Sequence, residues 1–240
     1  SIFVTMNGDI YVGDNSSIQQ VLYSNSSKLI MPMTSRCVGL FVDITNSVYC
    51  SADFQHQVFK KWLGDNVSVM TSVAGTGSNG SAANQLYNPN GIFVDTNFDL
   101  YVADWRNNRI QLFRLGQSNG ITVAGNTSEK QTIALYRPSN VILDANKYLF
   151  ITDSYNNRII GSDEKGFRCI VGCTGSSGSN FDQLSIPRSI AFDTSGNLYV
   201  VDRNNSRIQK FILSTNSCCK YRHILIRPIK YCFSIIQYLN

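Results

Sequence analysis

The sequence predicts an all-β fold, a propeller of about five four-stranded antiparallel blades, and three observations point to it. The stretch Pro89 to Phe113, PNGIFVDTNFDLYVADWRNNRIQLF, recurs twice downstream. Its Tyr101 aligns with Phe150 in YLFITDSYNNRI and with Tyr199 in NLYVVDRNNSRI, a period of 49 residues in both steps. A period of roughly 20 to 50 residues marks a solenoid, a propeller or an array. Each repeat reads as short strands with no helical window between them. Charged residues make up only 15%, below the roughly 25% of an ordinary soluble domain. Asn, Ser and Gly take their place, which suits a chain of many turns.

The elements follow in order. Gly91 to Asp95 (GIFVD) is a β-branched and aromatic run, and Thr96 to Asp99 (TNFD) carries turn residues, so a hairpin leads into a second strand, Leu100 to Ala103, ending at Asp104. After a polar break, Ile110 and Leu112 alternate with Gln111 in the period of a half-buried strand. Ile121 to Ala124 is the fourth, closed by Gly125 before a polar linker to Pro138. Four antiparallel strands per repeat make a propeller blade.

On this pattern the blades fall at 1–35, 36–86, 87–135, 136–185 and 186–213. Ile2 to Val4 and Ile10 to Asp14 open blade one, which reads as degenerate after Asp14. In blade two GLFVD at Gly39 to Asp43 matches Gly91 to Asp95, but Ala52 stands where Asp104 would, and His56, Gln57 and Val58 replace Asn108, Arg109 and Ile110. Residues 214–240 match no repeat. They read either as a closing strand for blade five, because Tyr221 to Ile226 and Cys232 to Tyr238 are β-prone, or as a disordered basic extension.

The runs GIFVD, LYVAD and NNRIQLF resemble the NHL repeat, closely over Pro89 to Leu213 and more loosely upstream. The resemblance implies a propeller of usually six blades, so the chain reads as a fragment or as an imperfectly closed ring. An unclosed propeller leaves unpaired strand edges.

Charge bears on partners. The net charge is +5, but Lys220, Arg222, Arg227 and Lys230 lie in the tail, leaving 17 basic against 16 acidic residues in 1–213. The resemblance implies an RNA-binding alternative, as a module of a larger, tripartite-motif-like regulatory protein. Phosphate binding needs a basic stripe, which a nearly neutral body does not promise, so nucleic acid is not favoured. A propeller lyase or hydrolase with a metal at the channel mouth is the other alternative. The chain has only His56 and His223, neither in a ligand pair, whereas catalytic zinc takes three protein ligands. No catalytic residue, metal ligand or cofactor is assigned.

Gly75, Gly77 and Gly80 satisfy G-x-G-x-x-G, yet no helix follows, as a dinucleotide site would require. They read as an inter-blade link. Asp104, Asp153 and Asp202 end the second strand, with Arg109, Arg158 and Arg207 five residues later in every case. A pair repeated once per blade reads as a structural staple across the turn. Positions that vary between blades suit recognition better. Phe54, Trp105, Arg106, Tyr155 and Arg203, in the turn after the second strand, form the candidate contact set, since aromatic and Arg side chains anchor protein interfaces.

Seven cysteines are present. In a regular hairpin pairing Val42 with Val48, Cys50 lies opposite Leu40, three residues and roughly 10 Å from Cys37, beyond disulfide reach. Cys169 and Cys173 meet only if Gly172 turns sharply. Six N-x-S/T sequons, at Asn15, Asn25, Asn66, Asn79, Asn126 and Asn204, are close to what this composition gives by chance. They lend only a slight lean to an extracellular setting. No run reaches the roughly 18 apolar residues of a membrane-spanning helix. The expectation is a non-enzymatic scaffold that binds another protein, its identity not readable from the residues.

Overall fold

The structure, a computed structural model, describes residues 1–22, 26–64, 69–126, 132–214 and 232–239. It contains five four-stranded antiparallel sheets, the blades of a β-propeller. Blade one is β1 (Ile2–Val4), β2 (Ile10–Gly13), β3 (Ser17–Val21) and β4 (Ser27–Pro32). Blade two is β5 (Cys37–Val42), β6 (Ser47–Ala52), β7 (Gln57–Trp62) and β8 (Thr71–Ala74). Blade three is β9 (Pro89–Val94), β10 (Leu100–Asp104), β11 (Arg109–Phe113) and β12 (Ile121–Gly125). Blade four is β13 (Pro138–Leu143), β14 (Leu149–Asp153), β15 (Arg158–Asp163) and β16 (Gly166–Val171). Blade five is β17 (Pro187–Phe192), β18 (Leu198–Asp202), β19 (Arg207–Ser214) and β20 (Cys232–Leu239).

The chain divides into two compact units, Ser1–Val141 and Ile142–Asn240. In the first, Ile18, Met31, Leu40, Val48 and Phe59 form one buried cluster, and Leu86, Ile92, Leu100, Val102 and Phe113 form another. In the second, Phe150, Ile159, Leu184, Leu198, Val200 and Phe211 do the same. Side chains of alternating strands thus pack blade against blade, the source of most of the stabilisation in such a fold.

Two sequence expectations change, on blade one and on Cys37, and the open alternative for the tail is resolved. Blade one is not degenerate, because β3 and β4 complete its sheet. β20 pairs antiparallel with β19, so residues 232–239 of the tail supply the fourth strand of blade five, while 215–231 lie outside the described residues. Cys37 and Cys50 are disulfide-bonded, with Cα atoms 5.5 Å apart. The register is the expected one at Leu40 and Cys50, but it shifts between Cys37 and Gly39. This bulge carries Cys37 one step closer to Cys50 than a regular ladder would. Gly172, at φ +70, provides the turn that joins Cys169 to Cys173.

The first hairpin of each of blades two to five closes on an aspartate. Asp43 Oδ1 accepts from the backbone N–H of Thr45 and Ser47, both at 2.9 Å. Asp95, Asp144 and Asp193 repeat this with residues two and four further on. The side chain mimics a backbone turn, and the residue three beyond it is left-handed: Asn46, Phe98, Lys147 and Gly196.

Each of the last three blades is stapled by its Asp–Arg pair, with the aspartate fully buried. Arg109 Nε donates to Asp104 Oδ2, Arg158 Nε to Asp153 Oδ2 and Arg207 Nε to Asp202 Oδ2, each at 2.8 Å. The staple also reaches backwards. Arg109 Nη1 donates to Ser81 O, and its Nη2 to Ala82 O and Gln85 O, while Asp104 Oδ1 accepts from Tyr87 N at 2.7 Å. Arg207 holds Ser179 O, Asn180 O and Gln183 O in the same way, and Asp202 holds Ser185 N. One ion pair therefore fixes both its own turn and the linker that precedes the blade. Burial raises the Asp104 carboxyl above its ordinary range, opposed by hydrogen bonds from Asn107 and Tyr87 and by the Arg109 charge.

Asp104 and Arg109 side chains are 0% and 3% exposed, whereas Arg158 is 21% exposed. Asp104→Ala should cost about 3–5 kcal/mol by stranding a buried guanidinium, and Asp153→Ala distinctly less, as read by chemical denaturation. Equal losses would contradict the account. At Asp43, burial opposes ionisation, but hydrogen bonds from Ser47, Thr45 and Tyr49 and the Lys60 charge outweigh it and lower the carboxyl. A lowered folded-state value contributes stability above the ordinary carboxylate range and loses it as pH falls through the lowered one. Melting temperatures measured through the acid range should fall less steeply for Asp43→Asn than for the natural chain.

Candidate functional site

In blades two to five a short 3-10 turn joins the second and third strands: Asp53–Gln55, Trp105–Asn107, Ser154–Asn156 and Arg203–Asn205. A left-handed residue ends each turn, namely His56, Asn108, Asn157 and Ser206. This residue reaches forward to the next blade. Asn108 Oδ1 accepts from Arg137 N at 2.8 Å, Asn157 Oδ1 from Ile186 N at 3.0 Å, and His56 Nδ1 from Asn88 N at 3.2 Å. His56 thus performs the task of the asparagine that it replaces, as an acceptor for a backbone donor. Gly125 passes close by at φ +88, where a Cβ would lie 2.3 Å from Asn108 O, and Gly75 and Gly172 meet His56 O and Asn157 O likewise. The recurring glycines are spacers at this contact.

The recipients Asn88, Arg137 and Ile186 each precede a proline and are themselves left-handed, at φ 50, 51 and 46. Both features are disfavoured, and for a β-branched residue this region is an outlier. The forward hydrogen bond holds the chain there. Ile186→Asn, which places a tolerant residue at the same φ, should raise stability by about 1 kcal/mol. An unchanged or lower denaturation midpoint would show that no strain resides at this position.

The varying turn residues lie at this end of their blades. Phe54 is 71% exposed, with the Arg36 guanidinium 5.8 Å from its ring centroid and Arg36 ion-paired to Asp53. Trp105 and Arg106 stand together in a larger cluster. Arg106 Cζ lies 5.2 Å from the Tyr87 ring centroid and 5.5 Å from that of Trp105. Arg137 Cζ lies 4.6 Å from Trp105 and 5.6 Å from Tyr136. Tyr87 meets His56 edge to face at 5.5 Å, and Arg106 N donates to Tyr87 O at 3.1 Å. The result is an alternating series of rings and guanidinium groups. In the second unit, Tyr155 and Arg203 occupy the corresponding turns and both are exposed. Beside Arg203, Asn204 N donates to Ser185 O at 3.1 Å.

Each exposed cation–π contact contributes about 0.5–1 kcal/mol. Stacking uses the face of a guanidinium and not its in-plane N–H donors, which suits Arg to bidentate recognition of a carboxylate or another planar acceptor. Among the described residues Arg106 has no acidic partner. Tyr87, Tyr136, Arg137 and Arg36 are not among the sequence candidates, all of which lie in the turns. Their signal was the position before each blade: Tyr87 and Tyr136 stand two residues before a proline, and Arg137 one before.

Also in the first unit, a cleft of about 320 Å³ is lined by Tyr49, Lys60, Phe98, Phe113 and Arg114 among others. Lys60 Nζ is 3.7 Å from Asp43 Oδ2 and sits over the Tyr49 ring. Burial, with the Asp43 charge and hydrogen bond, raises the Tyr49 hydroxyl. Among the described residues no three His, Cys, Asp or Glu side chains come together as a metal-binding group, and His223 lies outside them.

Known proteins resemble the chain chiefly in structure. The NHL repeat family matches residues 184–211, and no curated protein sequence matches the chain. A streptogramin B lyase superposes with a TM-score of 0.64 at 15% identity, over 88% of this chain and 64% of that one. Virginiamycin B lyase from Staphylococcus aureus gives 0.58 at 15% identity, over 87% and 64%. A chain of a nidogen–laminin complex gives 0.64 at 17% identity, over 84% and 73%. This chain thus spans less than two thirds of the length of either lyase. Fold and sheet topology define the class, a β-propeller of four-stranded blades. The NHL repeat match falls within blade five, across β17, β18 and most of β19.

Proposed function

We propose that the protein is a non-catalytic interaction scaffold that binds a protein partner through the turn ends of its blades, with Trp105 and Arg106 as the anchor. The observation that carries this reading is the stacked series Tyr87, Arg106, Trp105, Arg137 and Tyr136. It combines rigid aromatic area with oriented donors, the chemistry of interface hot spots. His56, the one histidine among the described residues, accepts a backbone donor and holds the entry to blade three, which is a structural task. The chain superposed from the nidogen–laminin complex belongs to a protein assembly, so the architecture is compatible with such a role.

The test is an affinity capture from native extract, with the captured protein then titrated against purified variants. Arg106→Ala and Trp105→Ala should each weaken that binding by about 30-fold or more, the loss expected of a hot spot worth 2 kcal/mol. The Arg106 variant should melt with the parent. Equal binding by parent and variants would overturn the assignment. Tight binding of an RNA oligonucleotide, falling steeply with salt, would replace the partner with nucleic acid.

A further inference from the structure

We propose that Asn15, Asn79, Asn126 and Asn204 are acceptors of N-linked glycans. Each begins an N-x-S sequon, completed by Ser17, Ser81, Ser128 and Ser206. The motif alone is weak evidence, but placement separates these asparagines from the rest. All four are exposed, and all lie outside the strands. Among the described residues none of the four side-chain amides makes a hydrogen bond.

Neighbouring asparagines behave oppositely. Asn205 Nδ2 donates to Gly178 O and Asp202 Oδ2, whereas the adjacent Asn204 amide is uncommitted. Asn107 and Asn156 hold the aspartates of their turns, and Asn108 and Asn157 hold the next blade. The structural asparagines and the sequon asparagines are separate sets.

Such an exposed, free amide lets the folded chain carry a glycan on Nδ2 without losing a structural hydrogen bond. Nδ2 forms a bond to the anomeric carbon of an oligosaccharide carried on a lipid pyrophosphate. The bond from that carbon to the pyrophosphate oxygen breaks, the lipid pyrophosphate leaves, and the amide gives up one proton. No electrons are exchanged. The compartment requirement has independent support, because Cys37–Cys50 and Cys169–Cys173 are disulfides, which persist in oxidising, secretory settings. Asn25 and Asn66 lie outside the described residues.

All four acceptors leave from the end of their blade where the second strand turns or the fourth one ends, the end that carries the varying turns. At Asn204 the glycan occupies the turn position that Arg106 holds in blade three. This proposal does not rest on protein binding, and its test is separate.

Protein purified from its native source, treated with peptide N-glycosidase in heavy-oxygen water, converts each glycan-bearing asparagine to labelled aspartate that mass spectrometry of its peptides locates. Label at two or more of the four asparagines is expected, and label at one or none overturns the proposal. Asn15→Gln and Asn204→Gln, secreted from eukaryotic cells, should each lose one glycan's mass with melting temperature retained. Unchanged mass for both would remove these two sites.

Discussion

The buried Asp–Arg pair is the interaction on which blades three to five depend. In blade three its carboxylate holds the linker through Tyr87 N and its guanidinium holds Ser81 O, Ala82 O and Gln85 O. A buried charge is tolerable only when it is paired and its remaining valences are filled. The linker carbonyls fill them. A segment rich in Gly, Ser and Asn, with little to bury on its own account, is thereby given a single path between sheets. The same arrangement at Asp202 and Arg207 orders Ser179 to Ser185, so blades three and five share it.

Much of this could be read from the residues. The 49-residue period, the strands and the constant five-residue spacing of Asp and Arg follow from pattern and turn chemistry. What could not be read are contacts whose partner is backbone. Carbonyls leave no mark in a sequence, so the pairing of Asp104 with Arg109 was visible while the grip of Arg109 on the linker was not. The Cys37–Cys50 bridge is hidden in the sequence for a related reason. A regular ladder fixes distances by counting, and one bulged residue invalidates the count.

His56 shows the same limit from the other side. Its blade lacks the Asp and Arg of the repeat, so the chain seemed to depart from its own pattern there. The imidazole nevertheless accepts the backbone donor that an asparagine oxygen accepts elsewhere. What the position demands is an acceptor on a left-handed residue. The candidate site divided along similar lines. Trp105 and Arg106 are visible as variation in a turn, while the position of Tyr87, Tyr136 and Arg137 before a proline gains its meaning only from the fold, which sets the linkers before and after blade three beside that turn.

The forward hydrogen bonds bear on how such a chain can grow. The left-handed residue at the end of one turn accepts from the residue before the next proline, in His56 to Asn88, Asn108 to Arg137 and Asn157 to Ile186. A segment cut from one proline to the next therefore carries a socket near its middle and a plug at its end. Copied in tandem, it meets an identical socket and plug at every join and needs no compensating change. A gene encoding it can lengthen by duplication, and the turn residues can then drift wherever they make no bond to a neighbouring segment of the kind that Ser154 Oγ donates to Pro187 O.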